Sequence, residues 1–238
     1  MRSAKNVVDE IELLVQEYGV KEIHIEDDNF TLVKKHAMQI CREIVNRGID
    51  IRWKCPNGVR VDGIDRELLQ LMKSSGCYQI AFGIESGNQK TLDSMNKNLD
   101  LNRVRQVVKT SKDVGLEVHG FFIIGFPGET YENAMETVRF SKSIGLDVVN
   151  FASLAYLPGA ELFNERVRNK GIGSIDFSDV NYFSPTSTDE LSEHEIKQIQ
   201  RNAFNSFYMK PEVLFNHMKK LKLKQIPYLI KMIQNYYT

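Results

Sequence analysis

The residues best suited to chemistry in this 238-residue chain stand in five short phrases, each where an apolar stretch gives way to glycine, proline or acid. Glu26-Asp27-Asp28-Asn29-Phe30 sets three carboxylates in a row, which repel one another unless a cation, an ammonium or a hydroxyl-rich ligand meets them. The plainer role for Asp28 or Asn29 is to cap a following helix. Trp53-Lys54-Cys55-Pro56-Asn57-Gly58-Val59-Arg60-Val61-Asp62 delivers a guanidinium that can grip a ligand carboxylate through two parallel hydrogen bonds, or simply bridge to Asp62. Phe82-Gly83-Ile84-Glu85-Ser86-Gly87 places Glu85 among glycines, where a carboxylate can accept from both hydroxyls of a ribose diol or serve only as a turn residue. Gly125-Phe126-Pro127-Gly128-Glu129-Thr130 is a rigid turn that lets backbone approach a ligand, and its flat apolar neighbours suit a purine ring. Ala155-Tyr156-Leu157-Pro158-Gly159 is a second aromatic, rigid turn of the same kind.

Such phrases act together only if the intervening elements carry them to one rim. Val7, Val8, Ile11, Leu14, Val15 and Tyr18 share a helical face, with Ser3 as cap and Gly19 as stop. Residues 21–26 then alternate apolar and polar as a strand does. The same alternation predicts strands at 51–55, 78–84, 117–125 and 148–156, with helices at 32–47, 65–74, through 114, and at 130–143. Gly19, Gly48, Gly76, Gly115 and Gly145 each fall between a helix and the next strand. Strand–helix units of about 30 residues demand right-handed crossovers and a parallel sheet. On the strand at 78–84 one face carries Ile80, Phe82 and Ile84, and the other carries Gln79, Ala81, Gly83 and then Glu85. A lining that small and polar predicts an α/β fold curled into a partial parallel (β/α) barrel of five strands, with interior room for a ligand at the carboxyl ends. After Pro158-Gly159 the alternation stops. A helix at 161–170, a polar loop at 171–188 and helices at 189–208, 211–221 and 225–237 follow, so residues 1–171 are expected to form the barrel and 172–238 a loop and helical extension.

Composition excludes several classes. Lysine plus arginine total 31 and aspartate plus glutamate total 31, which gives no electrostatic reason to expect nucleic acid. No apolar run approaches the ~20 residues of a transmembrane segment, and the first residues have no signal-peptide character, so the expected location is cytoplasmic. Cys41, Cys55 and Cys77 are odd in number and widely spaced, which argues against a disulfide framework and matches no metal-ligand pattern. His24 and His119 fall inside strands, where a hydrogen-bonded structural imidazole is expected rather than a metal ligand. The tail lysines Lys210, Lys219, Lys220, Lys222, Lys224 and Lys231 read as a solvated helix face, the alternative being a surface for an acidic partner or a membrane.

Four phrases together carry a likeness: Arg2-Ser3-Ala4-Lys5-Asn6-Val7-Val8-Asp9-Glu10-Ile11, Ile25-Glu26-Asp27-Asp28-Asn29-Phe30, Gly83-Ile84-Glu85-Ser86-Gly87, and Gly125-Phe126-Pro127-Gly128-Glu129-Thr130. They resemble the radical S-adenosylmethionine (SAM) superfamily, and within it the cobalamin-associated branch that includes anaerobic magnesium-protoporphyrin cyclase-like proteins. The likeness covers residues 2–171 and is looser in the helical tail. It implies a CxxxCxxC loop after the first strand, holding a 4Fe-4S cluster that chelates the amino and carboxylate groups of SAM. It further implies a 5′-deoxyadenosyl radical that takes hydrogen from a small-molecule substrate, a reductant such as flavodoxin or ferredoxin, and cobalamin carried by an upstream domain. Mapped by resemblance, Asp27 and Asp28 lie near the methionine amino group and Arg60 near its carboxylate or the substrate. Glu85 holds the ribose, and Gly125 with Pro127 borders the adenine.

The departure from the family pattern is the cluster loop. In the family the Arg-Ser-x-x-Asn-Val-Val stretch follows it, and here that stretch begins at Arg2, so the first strand and all three iron ligands are expected upstream of Met1. Cys41 on a helix and Cys55 in a strand do not replace them. The chain alone is therefore expected to be inert, with the strand at 21–26 unpaired along one side. Two other classes stay open: a non-catalytic binding or scaffold module with a nucleotide-shaped mouth, and a cofactor-free barrel hydrolase or aldolase using the acidic triplet, which lacks a lysine or histidine partner there.

Overall fold

The computed structural model describes residues 1–175 and 185–220. The first helix, α1 (Ala4–Tyr18), starts where Ser3 Oγ accepts from the Asn6 amide at 3.2 Å and ends at Gly19 with φ 64°. Its inward residues Val8 and Ile11 are buried. Five strands follow: β1 (Glu22–His24), β2 (Arg52–Val59), β3 (Cys77–Glu85), β4 (Glu117–Ile124) and β5 (Val148–Ser153). All pair in parallel in chain order, which is the half-barrel that the side-chain sizes predict.

The outer face is covered by α2 (Lys34–Asn46), α3 (Arg66–Ser74), α4 (Gln89–Ser94), α5 (Leu101–Asp113) and α6 (Tyr131–Ser143). Against these helices the strands turn Ile80, Phe82, Ile84, Val118, Phe122 and Ile124, all buried. Gln79, Gly83, Glu85, Glu117, His119, Phe121 and Ile123 alternate with them on the concave face and are half-buried. Gln79 Nε2 donates to Glu117 Oε1 at 2.8 Å across that face. Gly76 shows how tightly a helix must return to the sheet: its φ is +98°, and a Cβ there would lie 1.9 Å from the Ile51 carbonyl oxygen.

After β5 come α7 (Glu161–Lys170), a 3₁₀ turn (Ile172–Ser174), α8 (Glu193–Tyr208) and α9 (Pro211–Lys220). Ile196, Ile199, Ala203 and Phe207 of α8 enter the same core as Val8 of α1. This helix also closes the outer edge of β5. The Tyr208 hydroxyl accepts from the Val149 amide at 3.1 Å and donates to the Val149 carbonyl at 2.9 Å, and Gln200 Nε2 donates to the Phe151 carbonyl at 3.0 Å.

Several boundaries differ from those the sequence predicts. β1 is only three residues long, whereas β2 runs on to Val59 and leaves Arg60 immediately beyond the strand. The helical stretch through 114 is two helices, because Asn96 (φ 53°) and Asn98 (φ 44°) take left-handed backbone between them. α2 starts later, behind Val33 without a side-chain cap, so neither Asp28 nor Asn29 caps it; Asn29 Oδ1 accepts instead from Thr31 Oγ1 at 3.2 Å. β5 stops at Ser153, short of Tyr156. The expected helix at 225–237 and Lys222, Lys224 and Lys231 lie outside the described residues. Lys210 donates to the Lys142 carbonyl, and Lys219 sits over the Phe215 ring. Among the described residues no helix is long and apolar enough to cross a membrane.

Candidate functional site

The carboxyl end of β3 carries the most constrained backbone. Glu85 has φ 67°, a left-handed value that a residue with a Cβ adopts only under strain. The Ser86 amide donates across it to the Ile84 carbonyl at 2.9 Å, closing a γ-turn in its rare positive-φ form, and the β3–β4 register slips between Gly83 and Glu85. The turn raises the Glu85 carboxylate to the rim, where Oε1 accepts from Lys97 Nζ at 2.7 Å. Beside it Gly58 and Gly83 bring two strands close together next to the Phe121 ring. A Cβ on Gly58 would lie 2.8 Å from the Gly83 amide nitrogen, and one on Gly83 would lie 2.9 Å from Glu85 Oε1.

Lys97 is a site residue that the sequence reading missed. Its signal was Asn96-Lys97-Asn98, a lysine between two residues that tolerate left-handed backbone.

Beyond Glu85 the chain is anchored inward. Ser86 is wholly buried, its Oγ lies 3.0 Å from Thr137 Oγ1 of α6, and Thr137 Oγ1 also accepts from the Gly87 amide at 3.0 Å. Gly87 admits no side chain, because a Cβ there would lie 2.4 Å from Phe140 Cβ and 2.8 Å from Thr137 Cα.

At the end of β4, Gly125 has φ +88° and donates to Glu129 Oε2 at 2.7 Å. A Cβ at Gly125 would lie 2.7 Å from Ile196 Cδ1 of α8. The left-handed backbone therefore favours glycine here, and the approach of Ile196 leaves little room for a side chain, whether or not a ligand comes near. Glu129 is 1% exposed, and burial pushes its carboxyl up to about 7 against the pull of the Gly125 and Phe126 amides; Oε1 has no hydrogen-bond partner. Pro127 and Gly128 line a small cavity of about 140 Å³ together with Tyr156, Arg166 and Lys170. Arg166 stacks on the Tyr156 ring at 4.7 Å, and Glu190 Oε2 accepts from the Gly128 amide at 3.1 Å.

Asp27 and Asp28 are exposed beyond β1. Asp27 lines a groove of about 570 Å³ beside β1, α1 and α2, shared with Arg2, His24 and Phe30. Arg60 pairs with Asp62 at 2.8 Å and is 58% exposed, the plainer of the two roles its sequence position allows. The strand order thus sets Asp27, Glu85 and Gly125 at the ends of β1, β3 and β4, while Asp27 and Pro127 line separate cavities.

Deeper on the concave face, His119 packs its ring on Phe121 at 4.3 Å, and its buried Nε2 has no hydrogen-bond partner. Burial lowers its pKa to about 4.

The donor set fits some parts of the expected cofactors and not others. A carboxylate beside an ammonium, next to the close backbone approach of Gly58 and Gly83, suits the hydroxyls and charged ends of an adenosyl amino acid. The three thiols do not suit an iron–sulfur cluster: all are buried, burial pushes Cys41 up to about 11, and Cys55 and Cys77 rise well above the usual thiol range through burial and neighbouring thiols. Among the described residues no cluster of three or more His, Cys, Asp or Glu side chains can hold a metal.

Residues 1–141, more than half of the chain, match the family described as the radical SAM superfamily. The chain is 34% identical over 213 residues to an uncharacterised methyltransferase of Pyrococcus horikoshii, covering 89% of this chain and 46% of that protein. It is 30% identical over 220 residues to the anaerobic magnesium-protoporphyrin IX monomethyl ester cyclase of Cereibacter sphaeroides, covering 91% of this chain and 36% of the cyclase. It therefore spans less than half the length of either relative. Among solved structures, the radical SAM methyltransferase TsrM of Kitasatospora setae, with cobalamin and a [4Fe-4S] cluster bound, shares the fold at a TM-score of 0.65 and 20% identity, over 86% of this chain and 41% of that one. From the half-barrel, the four phrases on it and this agreement, the chain belongs to the radical SAM superfamily, with relatives in its cobalamin-associated branch.

Proposed function

We propose that this chain is the SAM-binding core of a radical SAM enzyme acting on a small-molecule substrate in the cytoplasm. The observation that carries the reading is the strained Glu85 turn, which lifts a carboxylate held by Lys97 onto the rim of the half-barrel. In this reading Glu85 accepts from the ribose hydroxyls. Lys97 fixes one carboxylate oxygen, leaving the other for the ligand, and supplies positive charge on the same side. Asp27 and Asp28 meet the amino group of the methionyl end, and Arg60 exchanges Asp62 for a carboxylate of SAM or substrate. Pro127 stiffens the turn that borders the adenine, and the Glu129 carboxyl fixes that turn through the Gly125 amide. Bound SAM supplies radical chemistry when an iron–sulfur cluster delivers an electron from a reductant such as flavodoxin or ferredoxin. Methyl transfer and cyclisation are the reactions named for the two relatives, and a cobalamin-binding domain upstream fits that branch.

Because the thiols of this chain are buried in the helix-side core, the chain by itself is proposed to bind SAM without cleaving it. Calorimetry with SAM tests the first part: binding is expected, and Glu85→Ala should weaken it about tenfold, the worth of a hydrogen bond to a charged group. Absence of binding, or full binding by the variant, overturns the site. Anaerobic reconstitution with iron and sulfide, then reduction with SAM present, tests the second. 5′-Deoxyadenosine formed by this chain alone refutes inertness.

A further inference from the structure

A non-glycine residue in left-handed backbone costs on the order of 1–3 kcal/mol and persists only where its surroundings over-determine it. Glu85 must therefore be held from both sides. On one side the grip is Lys97. On the other, within two residues, it is a pair of buried hydroxyls. Thr137 Oγ1 accepts from the Gly87 amide, Ser86 Oγ lies against it at 3.0 Å, and the Asn88 amide donates to Ser86 Oγ at 3.1 Å. Thr137 Oγ1 also lies 3.4 Å from the Asn133 carbonyl of its own helix. One proton arrangement satisfies all of them: Ser86 donates to Thr137, which donates to Asn133 and accepts from Gly87. Thr137 is wholly buried, so no water can replace it without a cavity.

From this geometry we infer that Thr137 is the positioning residue for Glu85, holding the strained turn so that the carboxylate stays at the rim. The inference deepens the ribose-binding role proposed above and rests on it for its functional consequence. It also explains a connection between two sequence phrases. Thr137 lies on α6, whose first turn is capped by Thr130 of Gly125-Phe126-Pro127-Gly128-Glu129-Thr130, with Asn133 completing a capping box. One helix therefore sets the height of Gly83-Ile84-Glu85-Ser86-Gly87 relative to the β4 turn. The ribose and adenine contacts of one ligand are kept in register by α6.

The test uses Thr137→Val, which keeps shape and loses the hydroxyl, and Thr137→Ser, which restores it. Hydrogen exchange at Ser86–Asn88 reads the turn without any ligand. Calorimetry with adenosine and with 2′,3′-dideoxyadenosine reads the diol contact. In Thr137→Val the Gly87 amide should exchange at least about tenfold faster, and adenosine should bind about tenfold more weakly while dideoxyadenosine is unchanged. Thr137→Ser should recover both, and Glu85→Ala should abolish the difference that Thr137→Val makes. Unchanged exchange at Gly87, or equal weakening of both nucleosides, overturns the inference. If the wild type binds the two nucleosides equally while exchange still responds to Thr137→Val, the ribose role of Glu85 fails and the holding of the turn stands.

Discussion

The Glu129 carboxyl makes a pH signature that can be worked out from the structure. It is neutral in both states below its ordinary value of 4.5, whereas in the folded protein burial holds the proton up to about 7. Between these values the unfolded chain has lost the proton and the folded one has kept it. The unfolded state therefore binds fewer protons, so stability falls as pH rises through this window and levels off above it. The separation, at about 1.36 kcal/mol per pH unit, amounts to about 3 kcal/mol. His119 works oppositely. Its imidazole is protonated below 6.5 when unfolded but stays neutral down to about 4 when folded, so its contribution to stability falls as pH drops from 6.5 to 4. In the wild type the two slopes cancel between pH 4.5 and 6.5, and a wild-type profile alone hides both. Glu129→Gln removes one. The glutamine keeps an oxygen for the Gly125 amide, and any cost of its buried amide nitrogen is independent of pH. The stability difference, variant minus wild type, should therefore grow by about 3 kcal/mol from pH 4.5 to 7. Urea unfolding at stepped pH, followed through Trp53, measures it, because this is the single tryptophan and it is fully buried. A difference that stays constant across that range refutes the assignment of a raised carboxyl pKa to Glu129.

Other substitutions follow from the same geometry. Gly87→Ala should cost about 3 kcal/mol or more, since its methyl meets backbone as well as the Phe140 side chain, and thermal melting reads the loss. At Glu85, glycine should be more stable than alanine by about 1 kcal/mol, the reverse of the usual order, because only the first relieves the positive φ. Tyr208→Phe should cost about 1–3 kcal/mol and speed amide exchange at Val149, whose outward backbone groups lose their partner.

The fold was legible in the sequence because its signals are local and repeated. Ser3, Gly19, Gly48, Gly76, Gly115 and Gly145 mark element ends, and all five glycines do take positive φ. The alternation Gln79-Ile80-Ala81-Phe82-Gly83-Ile84 declared which face of β3 would be concave, and burial follows it except at Ala81, which is wholly buried. Where local signals misled, a tertiary contact had won. Asn96 and Asn98 break a stretch whose periodicity reads as helix, and Lys97 between them reaches Glu85. The edge of β5 is closed by side chains from α8, some fifty residues on, and no pattern within β5 announces that.

The site was legible by residue type but not by cause. Glycine at 125 was read as serving ligand approach, and its φ and the approach of Ile196 favour glycine there independently of any ligand. Ser86 and Gly87 look like part of a binding phrase and are buried against Thr137 and Phe140 instead, so within Gly83-Ile84-Glu85-Ser86-Gly87 only Glu85 offers a charged group to solvent. A short motif thus mixes one partly exposed carboxylate with several residues that are buried beside it. Sequence cannot separate them, because the distinction lies in which neighbour fills the space beside each Cα. The hydroxyl of Thr137 lies fifty residues from the turn it holds and inside a helix, where threonine has no signature of its own. Strain at Glu85 and the bonds that oppose it become visible together only when β3 and α6 are seen packed.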